Sequence, residues 1–221
     1  MKHFALLVVL LTGTSSLVLS QRKVVSELTL SYDTEISTGS NEPKMADAFD
    51  GAKTTVYIKG HLSRSEMTSA LFSSTTIHDS NTGTAVAFRE VSGQKLLIRM
   101  TADNWKEKNK KYEGISFTNT DETKIIAGYK CIKAEARLAD GTVFAVYYTT
   151  DLVPENREYE NMMFKNLNGL PLEWELVQGK LRIRYVLSKI NMNPIPVSKF
   201  DIPKTGYREM TYDESKKTNM N

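Results

Sequence analysis

The residue types best suited to acid–base chemistry at a fixed spacing are Glu173 and Glu175, two apart in a stretch that alternates like a β-strand. That spacing places both carboxyl groups on one strand face about 6–7 Å apart, between the separations that retaining and inverting glycosidases use. Lys180 and Arg182 follow across a tight turn and can neutralise them, so a solvated charge ladder is the expected state, with a secreted hydrolase as the sharper alternative. His61 and His78 are seventeen apart with no third ligand beside them; each flanks a turn, and both are expected at the surface. The single Cys131 excludes an intramolecular disulfide, has no His next to it, and reads as a packed thiol on the more polar face of a strand. No serine elbow, zinc-binding Cys pair or phosphate-cradling glycine loop occurs. No enzymatic role, metal or cofactor is expected.

Binding of an apolar body is the better-supported chemistry. Phe49 lies on a short helix expected over 43–51, with Met45, Ala48 and Phe49 at i, i+3 and i+4. Trp105 and Tyr112 share one stripe of a helix expected over 102–112, with Thr101 or Asp103 as N-cap. Met162, Met163 and Phe164 fall in the least regular stretch, 150–171, which is long enough to dock on the core or to form a lid. These six are the candidate lining of a ligand site, since such sites are mostly apolar and methionines adapt to flexible ligands. Lys106, Lys108, Lys110 and Lys111 occupy the rest of the second helix. The net charge is only +3, so they read as a solvated face, and no nucleic-acid partner is expected.

The elements that must position these residues are mainly strands. Strand patterns recur at 24–32, 55–58, 62–67, 75–78, 85–90 and 95–100. Asp140-Gly141 joins 130–138 to 142–149, and Gln178-Gly179 joins 172–177 to 180–189, as hairpin turns do. Turns of two to five residues force antiparallel pairing, because a parallel crossover needs a dozen or more. Residues 143–148 (VFAVYY) are apolar on both faces, which predicts a strand covered on both sides. The fold class is therefore mainly β (α+β): a large curved antiparallel sheet with two or three short helices covering its concave face. The polar stretch 208–221 is expected to fray.

Residues 1–20 have a positive start at Lys2, an apolar run over 4–11 and small residues before Gln21, the layout of a signal peptide cleaved near Ser20-Gln21. Eight apolar residues are too few to span roughly 30 Å of hydrocarbon, and no transmembrane span is expected. The expected organisation is a signal peptide (1–20), one curved-sheet domain (21–207) and a flexible tail (208–221), exported to the periplasm or beyond.

Residues 168–173 (NGLPLE) resemble the Gly-Leu-Pro signature of the GLPGLI family of secreted bacterial proteins, although Leu172 follows Pro171 without a second glycine. Residues 126–131 (IAGYKC), the Asp140-Gly141 turn, and Phe200-Asp201-Ile202-Pro203 followed by Gly206-Tyr207 look like a related bacterial family of unknown function. The resemblance runs over about 56–207 and implies an exported bacterial protein. Its layout is similar to the lipoprotein-carrier (LolA/LolB-like) fold, in which a curved sheet wraps around helices and holds an acyl-chain cavity. It implies a lipid or lipoprotein acyl chain as ligand. An envelope protein bound through the 150–171 stretch is the alternative partner.

Overall fold

The computed structural model describes residues 22–37, 51–70, 72–91, 93–179 and 181–217. The expected signal segment and the expected helix over 43–51, with Phe49, lie outside the described residues.

The protein is mostly β, with one large curved sheet and two short helices. Strands β1 (Lys23–Val25), β2 (Glu27–Ser37), β3 (Lys53–Lys59), β4 (Leu62–Thr68), β5 (Phe72–Asp79), β6 (Ala85–Val91) and β7 (Gln94–Met100) open the chain. From β2 to β7 they form an antiparallel meander. Helix α1 (Ala102–Lys108) leads to β8 (Ser116–Ile126), β9 (Tyr129–Arg137), β10 (Val143–Thr149), β11 (Leu152–Pro154), β12 (Leu170–Gln178) and β13 (Leu181–Asn191). β13 returns to pair with β2, placing Tyr185 opposite Thr34 and Ile190 opposite Leu30. With a last strand, β14 (Arg208–Thr211), on the β7 edge, that seam merges the two halves into one twelve-stranded sheet ordered β14-β7-β6-β5-β4-β3-β2-β13-β12-β10-β9-β8. The Asp140-Gly141 turn forms as expected: the Asp140 carboxylate accepts from the Thr142 amide at 2.8 Å, and Gly141 takes a left-handed φ of 86°.

The inner face of the sheet carries the core. Leu28, Leu30 and Tyr32 of β2 meet Val56 and Ile58 of β3, and Leu172 and Trp174 of β12 meet Tyr185 and Leu187 of β13. Over this face lies a strap, residues 155–169, whose Tyr159, Met163, Phe164 and Leu167 are all buried. The helices share the cover with this strap. Trp174 is its main anchor: Phe164 and Tyr32 meet the indole edge-on at 4.9 Å each, and Tyr185 stacks on it at 4.6 Å. Gly169 closes the strap where a side chain has no room, since a Cβ there would lie 2.1 Å from the Thr149 carbonyl oxygen. Two residues on, the Pro171 carbonyl accepts from the Tyr32 hydroxyl at 3.0 Å. The Gly-Leu-Pro run is thus a packing device.

Two expectations are corrected. β10 is not the strand covered on both sides: Val143 is exposed, and Tyr147 is capped outside by Lys124, whose ammonium sits 3.6 Å from the ring centre. The doubly covered strands are β6 and β7, because Ile195 and Phe200 pack on Val86, Phe88 and Leu97 from the outer side. Nor does the chain fray from Arg208. Strand β14 (Arg208–Thr211) pairs in parallel with β7, and helix α2 (Tyr212–Lys217) follows. Met210 and Tyr212 are buried against Leu96, Ile98 and Trp105, so two apolar anchors outweigh the polarity of their neighbours.

Candidate ligand-binding site

α1 begins with a reciprocal cap. The Thr101 hydroxyl accepts from the Asn104 amide, and the Asn104 side chain accepts from the Thr101 amide, both at 3.2 Å. Trp105 follows on the inward stripe, packed on Ala85, Ala87, Ile98 and Met100 and stacked on the His78 ring at 4.7 Å. Asn109 ends the helix by donating its side-chain amide to the Trp105 carbonyl at 2.8 Å. From the other side the strap brings Met162, Lys165 and Asn166. Between them lies a cavity of about 430 Å³, walled by Trp105, Tyr112, Ala102 and Met162 and rimmed by Lys106, Lys110, Glu113 and a paired Lys165–Glu158. That volume falls within the range of about 300–1,000 Å³ typical of small-molecule sites.

Of the candidate lining, Trp105, Tyr112 and Met162 therefore meet at one cavity. Met163 and Phe164 do not reach it, because both are buried in the central core on the far side of the strap. Met162 has a left-handed backbone, φ 62°, and this reversal sends adjacent methionines to opposite sides.

Sequence reasoning missed Glu160. Its backbone is also left-handed, φ 50°, and its carboxyl accepts from the Ser65 hydroxyl of β4. Although partly exposed as a residue, it lines an enclosed space with Ser63, Thr76, His78 and Glu158, and burial pushes its carboxyl above the usual range. His78, expected at the surface, is only 2% exposed because it faces inward on β5 beneath Trp105. Burial pushes its imidazole down against the pull of Glu158 and Asp79, and neither ring nitrogen has a partner among the described residues. The space left is about 10 Å³, room for one water at most. This polar node fixes the strap to the sheet and is too small for a substrate. Its only trace in the sequence is Glu158 and Glu160 standing just before the apolar run 162–164.

The acid–base candidates resolve as structural. Glu173 is held by Arg184 at 3.0 Å and Lys124 at 2.6 Å, and Glu175 by Arg182 at 2.9 Å. Cys131 is fully buried and donates to the Tyr129 carbonyl; burial pushes its thiol up to about 11, leaving little thiolate at neutral pH. His61 is exposed, 3.9 Å from Asp79. Among the described residues no group of three or more metal-ligating side chains gathers, and no helix is long and apolar enough to cross a membrane.

Fold and cavity together define a β-rich, curved-sheet protein with a small-molecule-sized space under a strap. A structure of PNGF-II superposes on 88% of this chain with a TM-score of 0.52 and 12% identity, and the chain spans 33% of PNGF-II. An uncharacterized conserved protein from Thermus thermophilus aligns over 84% of this chain and 90% of its own, with a TM-score of 0.48 and 9% identity. A β-barrel-like protein of a domain of unknown function, DUF1849, from Brucella abortus aligns over 77% of this chain and 99% of its own, with a TM-score of 0.37 and 9% identity. At these identities the PNGF-II likeness concerns the fold alone. No family model matches the sequence, and no curated protein matches it.

Proposed function

We propose that this chain is an exported binding or carrier module for a ligand with an apolar, acyl-chain-like body, held between α1 and the strap. The observation that carries this reading is the cavity of about 430 Å³ in which Trp105, Tyr112 and Met162 converge from separate elements. Side chains brought together across 57 residues of sequence, yet leaving space between them, are unusual where interiors close-pack. The signal-like residues 1–20 and the resemblance of 168–173 to the GLPGLI signature support export and a lipoprotein-carrier-like role. An envelope protein docked on the strap remains the second reading, favoured by the two left-handed residues, Glu160 and Met162, that this segment holds.

Native mass spectrometry of the protein purified from the cell envelope, followed by organic extraction, tests the proposal. An apolar adduct is expected, and Met162→Asp should remove it while leaving the fold intact. The mass of a bare chain, with no adduct recovered, would overturn the proposal in favour of a surface-mediated interaction module.

A further inference from the structure

The buried His78 ring lies beneath the Trp105 indole with the two planes 19° apart, and both of its nitrogens lack partners among the described residues. A neutral imidazole tolerates that better than an imidazolium, which presents two donors and a charge that burial makes costly unless an anion meets it. The surroundings of the ring decide where that anion comes from. Ala85, opposite on β6, brings no charge, and Asp79, next along β5, turns its carboxylate to the Asn81 amide at 2.9 Å. Arg64 of β4 adds only positive charge, and it is already paired with Glu66 and donates to the Lys199 carbonyl at 2.8 Å. Tyr159 of the strap packs into the central core instead. Glu160 is engaged by the Ser65 hydroxyl, and burial favours its neutral acid.

Glu158 remains, and it stands in two places at once. It lines the enclosed space with His78, and it also walls the 430 Å³ cavity, where Lys165 holds it at 2.5 Å. Trp105 is the one other residue common to both spaces. The Lys165 side chain is 48% exposed, so water can satisfy its ammonium once Glu158 leaves; no such solvent reaches an imidazolium at His78.

We propose that His78 is an acid-operated switch for the cavity under the strap: on protonation it draws Glu158 away from Lys165, and the strap wall of the cavity opens. This rests on the reading of the cavity as a ligand site and adds its regulation. The imidazole takes one proton from solvent, Glu158 stays anionic, and Lys165 is left hydrated as the ammonium. The stack holds the ring in place through the change, because an indole face attracts a cation. Burial keeps the imidazole below its ordinary 6.5, so the switch works on the acid side of neutrality. A ligand that favours the closed strap must in turn draw the His78 midpoint further down.

The test follows two quantities in the full chain from pH 7.5 to 4: the His78 ring resonance by NMR, assigned through its loss in His78→Gln, and the affinity for the uncharged fluorophore N-phenyl-1-naphthylamine. Affinity should fall about tenfold as His78 titrates, and His78→Gln should hold it at the neutral-pH level throughout. Lys165→Met, a substitution at a half-exposed side chain, frees Glu158 without touching the node. It should raise the His78 midpoint above the parent's and bind the fluorophore at pH 7.5 as weakly as the parent does at pH 5. A constant affinity while His78 titrates, or a His78 that stays neutral down to pH 4, overturns the switch. An affinity that rises on acidification also overturns it, since Glu160 would then be the counter-charge and the strap would tighten. No binding of the fluorophore at any pH overturns the carrier reading instead. The switch is then decided by Lys165→Met alone, and a His78 midpoint equal to the parent's sinks it.

Discussion

Glu160 combines a left-handed backbone with an acid lodged against the sheet and one hydroxyl as its hydrogen-bond partner. Because its folded-state carboxyl titrates above the ordinary 4.5, the unfolded chain ionises first as pH rises. Stability is therefore lost from about pH 4.5 upward until the folded acid ionises too, and the penalty is constant above that point. His78 acts in the opposite sense: its imidazole is held below 6.5, so stability is lost as pH falls from about 6.5 through the lowered value. Glu160→Gln keeps the acceptor for Ser65 and the backbone strain but removes the ionisation. Its advantage over the parent should be near zero at pH 4, grow as pH rises and level off once the folded acid has ionised. Urea midpoints from pH 4 to 8 measure this, and a flat difference would mean that the acid is solvated after all. No residue spacing announces such a pair, because Glu160 and Ser65 meet across 95 positions of chain. Trp105 and Tyr112, by contrast, could be read as partners because one helical turn pattern relates them.

Elements were legible in proportion to how one-sided they are. α1 buries one face and the 130–149 hairpin turns at a marked dipeptide, and each lies within a few residues of its expected place. β8 escaped notice because it is a sheet edge with little buried surface: Ser116 to Lys124 is polar but for Phe117, so no period of two stands out. β14 has a single buried side chain in four residues, Met210, and a strand that short carries no pattern. It nevertheless covers the edge of β7, while Tyr212 and Ser215 of α2 are buried and Lys216 bridges to Glu107 of α1 at 3.0 Å. Removal of 208–221 uncovers that edge and takes away the buried Met210 and Tyr212, baring the Leu96, Ile98 and Trp105 surface they cover; each lost side chain is worth about 1.5–3 kcal/mol of burial. A chain ending at Tyr207 should lose about 3–5 kcal/mol in urea unfolding and self-associate through bare β7. An unchanged midpoint would restore the view of this segment as a dispensable tail.

At the scale of the molecule, the seam between β2 and β13 decides whether this is one cooperative unit or two meanders side by side. The partners are some 150 residues apart, so the seam closes late and the whole sheet should fold on the millisecond-to-second scale of non-local β topologies. Once closed, the seam lies inside the main core, because Val56 and Ile58 of the first meander share it with Ala134, Val146 and Trp174 of the second. The strap reinforces the join: Met162 packs on the Trp105 cluster and Met163 on the central core, so neither half can open without moving the other. The chain has two tryptophans, one reporting each region. In Trp174→Phe the remaining indole follows the β6–β7 end, and in Trp105→Phe it follows the β12–β13 centre. Each variant shifts stability by its own cavity, so the comparison is made within a variant, indole fluorescence against far-ultraviolet dichroism. The two curves should overlay in both variants, as one two-state unit requires. A fluorescence midpoint displaced from the dichroism midpoint in either would show that the meanders unfold separately. The cavity under the strap would then lie on a hinge between independent halves.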